Sequence, residues 1–420
     1  MELKRVVVTG LGAITPLGKD VQTTWENALA GKSGAGPITH FDASLFKTQF
    51  ACEVKDFNPG ELFDRKEARK YDRYSQLAVK AAADAMKDSK LDLEKENLDR
   101  IGVIFSAGIG GIKTFEDEVG EYFTNQEKGP RFNPFFIPKM IADIAAGHIS
   151  MIYGLRGPNY ATVSACASST NAIVDAFNLI RLGKANAIVT GGAEAPITPS
   201  AVGGFNAMHA ISTRNDSPQS ASRPFSASRD GFVIGEGGIA LILEELEHAR
   251  ARGATIYAEV AGGGMSADAY HLTASHPDGL GAKLVMRNAL EDAEMNPDEI
   301  DYINVHGTST PVGDISEARA IIDVFGEQSY KLNISSTKSM TGHLLGGAGA
   351  LEAMFIALAI RDQVVPPTIN FTEGDQDPDV DYRLNFTFNK AQKREIRAAL
   401  SNTFGFGGHN ASVILKQYSK

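Results

Sequence analysis

The chain has little that would tie it together covalently or draw it toward a polyanion. Its 420 residues include two cysteines, Cys52 and Cys166, far apart in sequence. That excludes a disulfide framework and fits a reducing compartment. Basic residues are outnumbered, 41 Lys and Arg against 51 Asp and Glu, for a formal net charge of −10. A surface of that sign argues against nonspecific nucleic-acid binding, which needs a basic face, although a local basic patch remains open. No uninterrupted apolar run is long enough to span a bilayer. The start, MELKRVVVTGLG, reads as a strand and turn and lacks the apolar core and cleavage site of a signal peptide. The expectation is a cytoplasmic protein that binds neither nucleic acid nor membrane.

Familiar chemical signatures are also missing. GLGAIT carries Thr15 where a dinucleotide fingerprint needs its third glycine, and GIGGIKT lacks the P-loop ending. There is no GxSxG, so no serine nucleophile elbow. Neither cysteine belongs to a CxxC pair and no HExxH occurs, so no zinc ligand set is read and no metal is expected on this ground.

What is present is ordinary globular material, 43% hydrophobic and 22% charged, with 42 glycines. Short β-branched runs ending in Gly or Ser (RVVVTG, RIGVIFSAG, ANAIVTGG, GIALILEEL, IYAEVAGGG, DYINVHG, KLNISS) alternate with amphipathic segments. This predicts an α/β fold with buried sheets. Helices are expected over Tyr71 to Met86 and Glu245 to Arg252. NYATVSACASSTNAIVDAFNLIRLG and KLNISSTKSMTGHLLGGAGALEAMFIALAIRD each run strand, small-residue turn, helix. That echo divides the chain into two similar α/β halves, 1–254 and 255–420.

Cys166 lies in TVSACASSTNAIVDAF, just ahead of Ile173, Ala176, Phe177 and Ile180 at helical spacing. Unpaired N–H groups and the positive dipole end at a helix start favour a thiolate. Taken alone, Cys166 reads about equally as a nucleophile or as a small buried hydrophobe. Cys52 has no such setting and reads as structural. His306 ends an apolar strand in VHGTSTPVGD, with Thr308 and Thr310 following, and His343 follows Lys338 in SSTKSMTGHLLGGAGALEA. Strand ends are where α/β folds assemble sites, so the cysteine and the two histidines form a candidate set. Glu352 sits in a mostly apolar helix: either it is solvent-facing, or it is buried against a partner such as Lys338. SNTFGFGGHNAS reads as a Gly-rich hairpin, or as a loop whose backbone must approach a ligand.

The ordered set resembles the elongating β-ketoacyl-[acyl-carrier-protein] synthases, the synthase II group of the thiolase-like superfamily. It comprises VVVTGLG, SAGIGG, the PFFIP run, AGHISMIYGLRGP, the Cys166 turn, STRND, RDGFVIGEG, VHGTSTPVGD, TKSMTGHLLG, VPPTIN and FGFGG, over essentially the whole chain. The resemblance implies a thiolase-like fold of two similar halves in an αβαβα layered core, and a homodimer. It implies a Cys166, His306, His343 site, with the family's Lys and Glu at Lys338 and Glu352. The backbone N–H groups of Cys166 and Phe404 would form the oxyanion hole. Ile109, Phe205 and Phe404 would line or gate the acyl pocket beside a mobile loop bearing Asp268 and Thr273. Thr308 and Thr310 would bind the malonyl-pantetheine arm.

The chemistry implied is a decarboxylative Claisen condensation of acyl- and malonyl-carrier protein through an acyl-cysteine, in type II fatty acid elongation, with no cofactor beyond the carrier's phosphopantetheine. A polyketide or aryl-polyene ketosynthase would use the same chemistry, and a non-catalytic acyl-binding subunit would have lost it. An acidic carrier protein would dock on Lys66, Arg69, Lys70 and Arg73, expected on one helix, with Lys128 and Arg131. His209 stands where the group commonly has Arg, which would weaken docking there or make it pH dependent. The resemblance leaves open whether a monovalent cation sits near Asn304, Glu352, Ser401 and Asn402.

Overall fold

Apolar runs that do not alternate with polar residues have to be covered on both faces, and these are. The computed structural model describes residues 3–419. Ten strands form one sheet: β1 (Val6–Ile14), β2 (Ile101–Ser106), β3 (Asn159–Tyr160), β4 (Ala187–Glu194), β5 (Gly237–Glu245), β6 (Ala258–Ala267), β7 (Tyr302–Asn304), β8 (Asn333–Ser335), β9 (Ala398–Gly405) and β10 (His409–Lys416). Every residue of β1, β2 and β4 is buried.

The spatial order is β8-β7-β9-β10-β6-β1-β5-β4-β2-β3. The antiparallel pair β1–β6 is the seam. Outward from it, one flank pairs antiparallel, antiparallel, parallel, parallel through β5, β4, β2 and β3. The other flank repeats the pattern through β10, β9, β7 and β8. This duplication makes the fold thiolase-like.

Five helices define the layers: α1 (Arg73–Ser89), α2 (Ser168–Arg181), α3 (Leu280–Asp292), α4 (Pro311–Phe325) and α5 (Ala348–Asp362). Helices α2 and α5 pack on each other and touch strands of both flanks, while α1 covers β1 and β5 and α3 covers β6 and β10 outside. Residues Ala348 to Ile360 of α5 are buried without a break, as a helix between two sheet layers must be. The result is an αβαβα stack.

The expected helices form with shifted ends. Asp72 caps α1 by accepting from the Tyr74 N–H, and Lys90 in the left-handed region closes it beyond Met86. Glu245 caps a helix over Leu246–Ala251 by accepting from the His248 N–H. The Asp72 cap also divides DRKEARKYDR: Arg65–Ala68 is a separate short helix and Arg73 begins α1. Among the described residues no helix is long and apolar enough to cross a membrane.

Candidate active site

Cys166 sits on a tight turn. Ala165 takes φ 52°, a left-handed conformation that non-glycine residues seldom adopt. A single 3-10 turn over Ala165–Ala167 then feeds into α2. The Ser168 hydroxyl accepts from the Ser164 N–H (2.9 Å) and donates to the Ala165 carbonyl (2.7 Å), holding the turn closed. Gly405, at the end of β9, lies against it: a Cβ there would come within 2.7 Å of the Ser164 carbonyl and 3.1 Å of the Cys166 nitrogen.

Burial pushes the Cys166 thiol up to about 12, against the downward pull of Lys338 and of the backbone N–H groups of Phe406 and Cys166. The resting residue is therefore a thiol. This corrects the expectation of a helix-start thiolate: the N–H donors are present, but desolvation outweighs them. Both cysteines are free and buried, and the Cys52 thiol packs near Gly342, beside His343.

The two histidines arrive from the other half. His306 follows β7, and the Glu317 carboxylate on α4 accepts the N–H groups of His306 (2.9 Å) and Gly307 (2.8 Å). His343 follows β8 and the helical turn Lys338–Thr341. Its N–H donates to the Val233 carbonyl (2.7 Å) and its carbonyl accepts from Gly235 (2.9 Å), while Phe232 sits edge-on to the ring at 5.3 Å. His343 Nε2 lies 3.0 Å from Cys166 Sγ. The His306 ring stands 5.4 Å from that of His343, nearly perpendicular.

Burial first, and then the Lys338 charge, hold both imidazoles well below the usual histidine range, so both are neutral near pH 7. Lys338 pairs with Glu352, both fully enclosed. Burial pushes the Glu352 carboxyl up to about 7 while Lys338 opposes it. The open alternative closes on the buried ion pair.

A cavity of about 620 Å³ opens onto this cluster. Cys166, His306 and His343 line it, together with Ile109, Phe205, Phe404, Asp268, Thr273, Thr308 and Thr310. The Thr308 and Thr310 hydroxyls are 3.1 Å apart. Asp268 accepts from the Asn410 side-chain amide (2.8 Å), and its N–H donates to the Gly408 carbonyl (2.9 Å). That fastens the 268–276 loop to the Gly-rich turn. Lys338 and Glu352 stand behind the wall.

Two expectations need correction. The backbone donor at Cys166, besides its own, is Phe406 and not Phe404. Phe404 lies inside the β9–β10 ladder opposite Asn410, its ring 5.5 Å from His306. The backbone turns toward the thiol only past the strand end. Arg73 faces inward, paired with Glu236 at 2.7 Å. Lys66, Arg69, Lys128 and Arg131 are exposed. Lys70 is half-buried, salt-bridged to Glu67, and its ammonium lies 6.0 Å from the Phe135 ring. His209 is exposed at the cavity mouth.

The buried oxygens Asn304 Oδ1, Glu352 Oε2 and Ser401 Oγ have no hydrogen-bond partner, an oxygen-only donor set that fits a monovalent cation. Asn402 is otherwise engaged, with Glu317 and Ser412. Sequence reasoning read Phe406 only as a lid beside Phe404, and it missed Phe232, Glu317 and Glu194. Glu194 carried a usable signal, a lone carboxylate in the apolar run AIVTGGAEAPI, whereas Glu317 stands among other polar residues in DISEAR and carried none.

A duplicated αβαβα fold with a buried cysteine facing two neutral imidazoles defines a thiolase-like acyltransferase that forms carbon–carbon bonds. Residues 3–249 match the β-ketoacyl synthase N-terminal domain and residues 257–372 the β-ketoacyl synthase C-terminal domain. The chain belongs to the β-ketoacyl synthase family. It is 50% identical over 416 residues to a 3-oxoacyl-[acyl-carrier-protein] synthase 2 of Staphylococcus aureus, covering 99% of each chain. It is 49% identical over 418 residues to the protein of that name from Coxiella burnetii, again covering 99% of each. Among solved structures it is similar to a β-ketoacyl synthase from Burkholderia phymatum (35% identity, TM-score 0.90, covering 99% of this chain and 100% of that one). It is also similar to a type II polyketide ketosynthase, bound to a hexaketide, in complex with its acyl-carrier protein (34% identity, TM-score 0.90, covering 99% and 100%).

Proposed function

We propose that this enzyme elongates acyl chains in type II fatty acid synthesis, condensing acyl-carrier protein with malonyl-carrier protein in the cytoplasm. The observation that carries the reading is Cys166 Sγ at 3.0 Å from the neutral His343, with His306 beside it. The thiol attacks the acyl thioester as its proton leaves toward His343 Nε2. The carbonyl oxygen collects charge against the N–H groups of Cys166 and Phe406. The tetrahedral adduct collapses, the carrier thiol departs with a proton, and an acyl-cysteine remains.

Malonyl-carrier protein then enters past Thr308 and Thr310. Its carbon–carboxylate bond breaks, CO2 leaves, and the electron pair forms an enolate whose oxygen faces the two imidazoles. Two neutral donors suit an enolate better than a histidine ion-paired to a carboxylate. The enolate carbon attacks the acyl carbonyl and expels Cys166 as a thiolate, which takes a proton from solvent to restore the resting thiol, giving a β-ketoacyl-carrier protein longer by two carbons. A monovalent cation, when bound by Asn304, Glu352 and Ser401, would supply charge balance behind the histidines. The acidic carrier meets Lys66, Arg69, Lys128 and Arg131.

The enzyme acts as a homodimer in this reading. Strand β3 is an exposed sheet edge, and Met151 (69% exposed) and Val163 (59%) lie near it in sequence.

The deciding experiment is intact mass after mixing with a medium-chain acyl-carrier protein, with Cys166→Ala as control, followed by a malonyl-carrier chase. The expected result is an adduct that requires Cys166 and that the chase converts to β-ketoacyl product. An adduct that resists the chase removes the decarboxylation role of His306 and His343. Absence of any adduct favours the inactive-subunit reading.

A further inference from the structure

Glu194 is the last residue of β4, a strand with no exposed position, and the reaction as described has no use for it. Its carboxylate accepts four backbone N–H groups: Gly108 (2.6 Å) and Gly346 (3.0 Å) on Oε2, Gly110 (3.0 Å) on Oε1, and Ile109 at 3.1 Å from Oε1. Three of these are successive residues of one turn, an arrangement that suits an anion. The fourth belongs to the segment just after His343. A single carboxylate therefore bolts two loops together behind Cys166.

The glycines confirm that the fit is built. A Cβ on Gly108 would lie 2.9 Å from Glu194 Oε2 and 3.1 Å from the Ala165 carbonyl. A Cβ on Gly346 would lie 2.1 Å from the Gly108 nitrogen. Both loops are bare so that carboxylate and backbone can meet. Each loop also delivers an apolar side chain to the cavity wall beside Cys166: Ile109 from the first and Leu345 from the second.

The geometry points to Glu194 as a positioning residue that sets acyl-chain selectivity, by fixing the height of Ile109 and Leu345 over the acyl side of Cys166. It touches no substrate and acts through the two loops. The inference rests on the proposed acyl-cysteine chemistry for its biological meaning, but its test does not. An amide in its place keeps the size, yet turns an NH2 toward N–H donors, so the bolt loosens. The malonyl side, walled by Thr308 and Thr310, is held separately through Glu317 and Arg229, whose guanidinium donates to the carbonyls of Thr310 and Pro311.

The experiment compares wild type, Glu194→Gln, Ile109→Ala and the double variant. N-alkyl iodoacetamides of increasing chain length alkylate Cys166, and intact mass gives the rate. Acyl-carrier proteins of matched length follow as the enzymatic arm, with the KM for malonyl-carrier protein measured alongside. The expected result is a tenfold or larger change in the long-to-short rate ratio for Glu194→Gln, with the malonyl KM within twofold of wild type. Ile109→Ala should change the ratio likewise, and the double variant should add nothing to it, as residues acting through one another require. Equal loss at every length, additive effects in the double variant, or no change in the ratio overturns the proposal. Where Glu194→Gln does not fold, Glu194→Asp must show the same length-dependent change in smaller measure, and a flat profile there is equally fatal. Because the alkylation arm needs no carrier protein, a wild type that fails to take acyl groups sinks the functional reading without deciding this one.

Discussion

Lys338 sits where it acts on three titrating groups at once. Its charge lowers the His306 and His343 imidazoles and opposes the rise of the Cys166 thiol. Its own burial is sustained by Glu352, and breaking such a pair from one side costs about 3 kcal/mol or more. Lys338→Met should therefore raise all three pKa values, with two separate readouts. Without the cation the imidazole pKa values rise, so the acid limb of malonyl decarboxylation, which falls as the histidines protonate, shifts to higher pH. The thiol pKa rises too, so alkylation of Cys166 by iodoacetamide slows at a fixed pH near 8. A pH profile and an alkylation rate that both match wild type would remove Lys338 from the electrostatics of the site. Glu352, already pushed to about 7, takes up a proton when left alone, which limits the loss of stability.

Among the elements, the end of β9 and the turn before α2 depend on each other. Gly405→Ala would drive a methyl toward the Ser164 carbonyl and the Cys166 N–H, against backbone that cannot yield cheaply. Acyl transfer to Cys166 should fall by a hundredfold or more while the melting temperature moves by only a few degrees, read by intact mass and thermal unfolding. A variant that acylates normally would show that the oxyanion donors tolerate displacement. This contact also marks where sequence reasoning reaches its limit. Strands β1, β2 and β4 to β8 and the helix behind Cys166 were legible because buried strands and amphipathic helices impose patterns on apolar residues, and the helix behind His343 showed as a long apolar run. FGFGG showed a backbone approaching something, but its two phenylalanines, Phe404 and Phe406, are alike in chemistry and only the point where β9 stops separates them. The inward turn of Arg73 was hidden for a similar reason: its partner Glu236 lies far along the chain, and a run of charges says nothing about which member finds a distant carboxylate.

For the molecule as a whole, the exposed edge at β3 is where the proposed homodimer would form. Met151→Asp should split the proposed dimer, taking the mass seen by light scattering from twice the chain mass to the chain mass. A variant that remains dimeric would move the interface elsewhere on the surface.

The sheet order carries a consequence for how the enzyme comes to life on the ribosome. The hairpin β9–β10 follows every other strand in the chain, yet it lies between β7 and β6 in the sheet. A nascent chain that has emerged only as far as α5 already holds Cys166, His306 and His343. It still lacks the strands that join β7 and β8 to the seam, and it presents the open edges of β6 and β7. The donor at Phe406 arrives with that same hairpin. Closing the sheet between β6 and β7 and bringing the Phe406 N–H toward Cys166 fall to this one hairpin, so the proposed oxyanion site cannot be complete before the hairpin docks.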